Sequence, residues 1–168
     1  MIKPYFCNPE NWSSFSKECS SWEGTPYYHL QMAKGFGADC TLFIAGVFLN
    51  VGIISKVDRE YYSKDWFIVK DVPLIENAVV SNLRNNVVDS RLHFKEVLNV
   101  EGDFVRGDLL LITTERPIIA NHIGILWDNG KMIHCINGRG VEFSFYGRWW
   151  QKHTKYKIRL FEGDGTWE

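Results

Sequence analysis

Between Cys40 and Val51 the chain reads CTLFIAGVFLNV, in which Thr41 and Asn50 alone are polar. A helix built from this run has no polar face and has to be buried. Asp39 in front of it is a capping residue, so the helix starts at Asp39 or Cys40, and Asn50 to Gly52 make a reasonable end. Residues 11–22, NWSSFSKECSSW, space their apolar positions loosely at helical intervals after a polar start, which predicts a short amphipathic helix. Val80, Leu83, Val87 and Leu92 repeat close to helical spacing, which predicts a second helix from Glu76 to His93. The intervening stretches lack a period. Gly24, Pro26, Gly35 and Gly37 mark residues 23–39 as a loop, and residues 56–76 read as a connection with little regular structure.

The last third changes pattern. GDLLLIT, NHIGILWD, GKMIHCIN, GVEFSFY and KYKIRLF are short runs rich in Leu, Ile, Val and Phe, bounded by turn formers. They predict an antiparallel meander of about five strands. Helices followed by strands make the fold class α+β, with N-terminal helices packed on a C-terminal sheet. With 168 residues and 45% apolar content, one domain spanning 1–168 with a packed core is expected. The formal net charge of −1 argues against a nucleic-acid partner. No apolar run is long enough to span a bilayer. The N-terminus MIKPYFCNPENW has no apolar signal core, so a cytoplasmic location is the default expectation.

The turn between NHIGILWD and GKMIHCIN decides whether two histidines can meet. With a two-residue loop, Asn129-Gly130, His134 lies opposite Ile125 and His122 falls on the other face. With a three-residue loop, 128–130, and Gly130 left-handed, His134 lies opposite Gly124. It is then on the same face as His122 and diagonal to it, about 7–8 Å away along the backbone. Gly124 leaves the rings room to lean together. In that second register His122 can take the proton of a cysteine thiol, and His134 can fix its tautomer and ring plane. Cys40, at a helix N-terminus, is where a thiolate is favoured, as one half of a thiolate–imidazolium pair.

Blander roles compete for each residue. A cysteine opening an apolar helix is often a small core residue, Asp39 is most simply a cap, and YGRWW is most simply a packed strand end. Cys7, Cys19 and Cys135 are expected in packing roles, Cys135 on the face opposite His134. His29, His93 and His153 receive no role. The cysteines form no C-x-x-C pair, so no metal or cofactor is expected; a metal bound by Cys40, His122 and His134 is the weaker alternative.

Taken in order, WEGTPYYHLQMAKGFGADC, GDLLLI, NHIGILWDNGKMIHCINGRGVE and GRWW resemble the NlpC-type cell-wall peptidases, which are papain-like cysteine peptidases, and in particular the phage cell-wall branch. The likeness runs from about Trp22 to Trp150. It implies that Cys40 is the nucleophile, His122 the general base and His134 the polar third member. Tyr27 of the Gly-Thr-Pro-Tyr loop, thirteen residues before Cys40, matches the active-site tyrosine; the twelve-residue spacing of many relatives would select Tyr28. Asp39, Thr41 and Tyr27 are assigned to the oxyanion and substrate side, Thr41 through its backbone N–H. Leu42 stands where relatives carry glycine, which narrows the space under the site. The implied reaction is amide hydrolysis through a thioester, on peptidoglycan stem peptides. Delivery to the wall by a phage-tail or similar assembly would fit a chain with no secretion signal.

Overall fold

The computed structural model describes residues 2–69, 71–97, 104–115 and 118–163. Helix α1 (Pro9–Ser20) begins where Asn8 accepts a hydrogen bond from the Glu10 N–H at 3.0 Å and Pro9 occupies the first turn. It buries Trp12, Phe15 and Cys19 along one stripe. The loop ahead of Cys40 contains a small hairpin, β2 (Met32–Ala33) with β3 (Gly37–Ala38); a two-residue edge strand at the N-terminus, Lys3–Pro4, is β1.

Helix α2 (Cys40–Asn50) follows at once and is buried nearly all round, with Phe43 and Val47 sealed from solvent. Burial of a side chain the size of Phe43 contributes about 2–3 kcal/mol. Gly46 lies under the indole of Trp22: a Cβ there would sit 2.7 Å from the ring, so this glycine sets how closely the two can approach. Two helices follow: α3 (Trp66–Val69), inside the segment expected to be irregular, and α4 (Leu74–Asn85).

The expected second helix is shorter than its apolar spacing implied. It stops at Asn85, Val87 bridges to Ile54, and Leu92 and His93 belong instead to strand β4 (Leu92–Val97). The other strands are β5 (Leu109–Ile112), β6 (His122–Leu126), β7 (Lys131–Ile136), β8 (Gly140–Phe145) and β9 (Thr154–Glu162). All five expected runs form strands, but not one meander. β5 to β8 pair in sequence order, whereas β9 crosses back to pair with β5, and β1 and β4 pair with β9. Among the described residues this makes one seven-stranded antiparallel sheet, in the order β1-β9-β5-β6-β7-β8 with β4 also on β9.

The crossover is made by helix α5 (Arg148–His153), so GRWW is a helix start and not a strand end. At the head of β5, Asp108 pins β9 through a buried two-point pair with Arg159, at 2.7 and 2.8 Å. The alternation of β6 and β7 divides the core. Ile123, Ile125, Ile133 and Cys135 face the main core with α2, while Leu126 and Met132 join Leu110, Ile112 and Tyr146 in a smaller cluster that Trp150 covers. The architecture is α+β and papain-like, a mostly antiparallel sheet with the buried α2 on one face and the short α5 on the other.

Candidate active site

Cys40 is the first residue of α2, and its neighbours there follow from the cap. The Asp39 carboxylate accepts the N–H of Thr41 at 3.1 Å and of Leu42 at 2.8 Å, and its other oxygen accepts the N–H of Leu30 at 2.9 Å. Phe43 donates to the Asp39 carbonyl. The Thr41 N–H thus serves the cap, while the Thr41 hydroxyl lies 3.9 Å from the Cys40 sulfur. Thr41, expected on the oxyanion side, has its N–H on the Asp39 carboxylate, and the N–H of Cys40 lies at the same helix start. Asp39 lies in the cavity wall, but its oxygens are occupied in holding the helix start and the preceding loop.

The two histidines meet in the register set by a three-residue turn. Gly124 is opposite His134, Ile125 opposite Ile133 and Leu126 opposite Met132. Asn129 and Gly130 both take left-handed φ values, 58° and 68°, where Gly130 alone was expected to. A Cβ on Gly124 would lie 3.3 Å from that of His134, so the glycine is what lets the second ring sit across from it. His122 Nε2 and His134 Nδ1 are 2.8 Å apart. Trp150 packs edge-on to His134 at 5.0 Å between ring centroids and lies tilted 5.9 Å from His122, roofing the pair.

The β6–β7 ladder ends at Gly124–His134, and the strands part there. The backbone N–H of Ile123 lies close enough to the Cys40 sulfur to favour its thiolate form. Cys135, the residue that would have paired with Ile123, donates its S–H to the Ala38 carbonyl at 3.2 Å. The start of α2 thus seats itself at the parting of two strands, next to His122. The histidine Nε2 is used by His134, so Nδ1 is the nitrogen left for the thiol.

Cys40, His122 and Trp150 open on one cavity of about 380 Å³. Tyr27 lines it, half-buried, whereas Tyr28 is exposed and packs over Gly37. The geometry brings Tyr27, and not Tyr28, into the cavity that Cys40 lines. The opposite wall is one the sequence reading passed over. Tyr62, Lys64, Trp66 and Phe67 come from the segment called a connection, and His29 was given no role. His29 Nε2 donates to the Tyr62 carbonyl at 2.7 Å, which ties that wall to the loop before Cys40. Thr114, Glu115 and Asn121 close the end near His122. Among the described residues no three His, Cys, Asp or Glu side chains are placed to hold a metal ion. All four cysteines are free, Cys19 and Cys135 buried and Cys7 exposed.

The model of the NlpC/P60 family matches residues 24–159, which include every residue of this cavity. The chain belongs to the NlpC/P60 family. Members of the NlpC/P60 family are cysteine peptidases or amidases. Among solved structures, the chain is similar to the NlpC/p60 domain of the peptidoglycan hydrolase SagA, with a TM-score of 0.51 and 17% identity over 87% of this chain and 96% of that one. It is also similar to a lipoprotein-like NLP/P60 protein from Staphylococcus aureus, with a TM-score of 0.55 and 18% identity, covering 92% of this chain and 43% of that longer protein. At these identities the likeness establishes the shared fold. No curated protein sequence matches the chain.

The NlpC/P60 pocket also determines the charges its residues carry at rest. Burial pushes the Cys40 thiol up to about 12, and the Asp39 carboxylate adds to the rise; the Thr41 hydroxyl and the N–H groups of Ile123 and Thr41 pull the other way without winning. Burial pushes His122 down to about 4 and His134 down to about 3, the latter with help from His122 and Arg139. Burial thus favours the neutral forms of both the thiol and the imidazole, working against the thiolate–imidazolium pair that the helix N-terminus favours. Desolvation of each charge outweighs the helix dipole at this depth.

Proposed function

We propose that this chain is a cysteine peptidase that hydrolyses amide bonds in the stem peptides of peptidoglycan. The observation that carries the reading is the thiol of Cys40 sharing one cavity with His122, whose ring is hydrogen-bonded to that of His134 at 2.8 Å. Family membership and a fold shared with a peptidoglycan hydrolase domain support the substrate class. The likeness of the Gly-Thr-Pro-Tyr, Asp-Cys and Ile-His motifs to the phage cell-wall branch supports a narrower reading, a peptidase carried to the wall on a tail-like assembly.

The mechanism follows from the resting charges. Cys40 Sγ attacks the scissile carbonyl while its proton passes to Nδ1 of His122, so the ion pair forms as the bond forms. The oxyanion is met by the Cys40 N–H at the helix start and by the Tyr27 hydroxyl, which burial keeps protonated and thus able to donate. His122, now imidazolium, protonates the leaving amine and the thioester results. It then draws a proton from water, which attacks the thioester and releases Cys40.

The test is incubation with intact peptidoglycan and a panel of defined muropeptides, followed by mass spectrometry. We expect fragments that together gain one water per cut, each cut within the stem peptide and exposing a new free amine. Cleavage in the panel of a non-peptide bond only, or of no bond, would overturn the reading in favour of an amidase or acyltransferase acting elsewhere, or of an inert homologue.

A further inference from the structure

The polar line that starts at His122 does not end at His134. His134 Nε2 lies 2.8 Å from Ser144 Oγ, and Ser144 Oγ donates to Glu142 Oε1 at 3.1 Å. Arg139 holds the same Glu142 oxygen at 3.1 Å. The strands dictate this: Glu142 is directly opposite His134 and Ser144 opposite Met132, so all three side chains share a face, and Phe143 between them turns to the core.

The line has a direction. A carboxylate accepts hydrogen bonds and donates none. The Ser144 hydroxyl spends its one proton on Glu142, so its oxygen has to accept from His134 Nε2–H. His134 Nδ1 then carries the lone pair and accepts from His122 Nε2–H. His122 Nδ1, the nitrogen not bonded to His134, is left as the bare base in the cavity it shares with Cys40. We propose that Glu142 and Ser144 are positioning residues, which through His134 hold His122 in the one tautomer able to take the Cys40 proton. A neutral third member is then backed by a remote carboxylate, the charge that an aspartate supplies directly in a serine triad. Arg139 keeps that carboxylate aimed at the serine and not at solvent. The value of this device for catalysis rests on the peptidase reading, but the tautomers exist without any substrate.

Histidine tautomers are read directly by long-range proton–nitrogen correlation NMR on protein labelled with ¹⁵N-histidine, near neutral pH and with no substrate present. In the wild type, His122 and His134 should both give the single Nε2–H pattern. In Glu142→Gln the amide can donate as well as accept, so the direction is lost and both histidines should shift to mixed tautomers. Ser144→Ala should do the same, and Ser144→Thr, which keeps the hydroxyl, should restore the single pattern. Glu142 is partly exposed, so its variant serves if the serine variant misfolds. An Nδ1–H pattern at His122 in the wild type, or patterns in Glu142→Gln unchanged from it, would overturn the proposal whether or not the protein cleaves peptidoglycan.

Discussion

Replacing His122 by alanine is expected to slow hydrolysis of peptidoglycan by about 10²–10⁴-fold, the range associated with loss of a general base. Among the described residues, the other imidazole in the cavity, His29, is engaged with the Tyr62 carbonyl and lies beside Asp39. Burial holds it neutral, with a pKa near 12, and the N–H groups around the sulfur do not offset the desolvation of a thiolate. His134 cannot take over, because its Nδ1 points at His122 and its Nε2 at Ser144. The loss should fall on kcat more than on KM, since His122 acts on the proton and not on substrate binding. His134→Asn, which keeps a polar partner for His122, should cost less than His122→Ala. Initial rates of amine release from purified peptidoglycan would measure both. A His122→Ala protein within a few-fold of wild type would show that the proton goes elsewhere.

Acid should unfold the wild type more readily than a variant lacking His122. A histidine in the unfolded chain ionises near ~6.5, whereas His122 in the fold is held down to about 4. Between those values the unfolded chain binds a proton that the folded one refuses. Stability is therefore full above about pH 6.5 and falls as the pH drops towards 4, by about 2–3 kcal/mol at about pH 4.5 from His122 alone. His134 adds a loss of the same sign. Urea unfolding of wild type and His122→Gln at about pH 7 and about pH 4.5 separates this from the carboxylates, which both proteins share. The wild type should lose at least ~2 kcal/mol more than the variant on acidification. Equal losses would mean that His122 is reached by solvent in the native state.

The parts of this fold that could be read from sequence are those set by short-range chemistry. Asp39 before an all-apolar run marks the start of α2 whatever surrounds it. The hairpin around Asn129-Gly130 offers two registers, and the left-handed pair at its tip selects the one in which Gly124 faces His134. What could not be read depends on partners far along the chain. β9 pairs with β5 across some fifty residues, and its own pattern carries no trace of which strand it joins. Leu92 sits at a helical interval from Leu83, so spacing alone carries the helix past Asn85; what ends it is Val87 leaving to bridge Ile54. The cavity wall from Tyr62 to Phe67 has no period to betray it, and His29 gains its place from a carbonyl thirty-three residues away. Ser144 and Glu142 were nearer to hand, since alternation puts them on one face of a strand, but linking them to His134 needs the β7–β8 register.

The claim on which the whole account turns is that the sulfur of Cys40 attacks the amide bond. Wild type and Cys40→Ala should be incubated side by side with purified peptidoglycan, with released peptides followed by mass spectrometry. Removing one sulfur at the surface of a half-buried position should leave the fold intact, as circular dichroism would confirm. The account predicts product from the wild type and none above background from Cys40→Ala; equal product from the two proteins would contradict it.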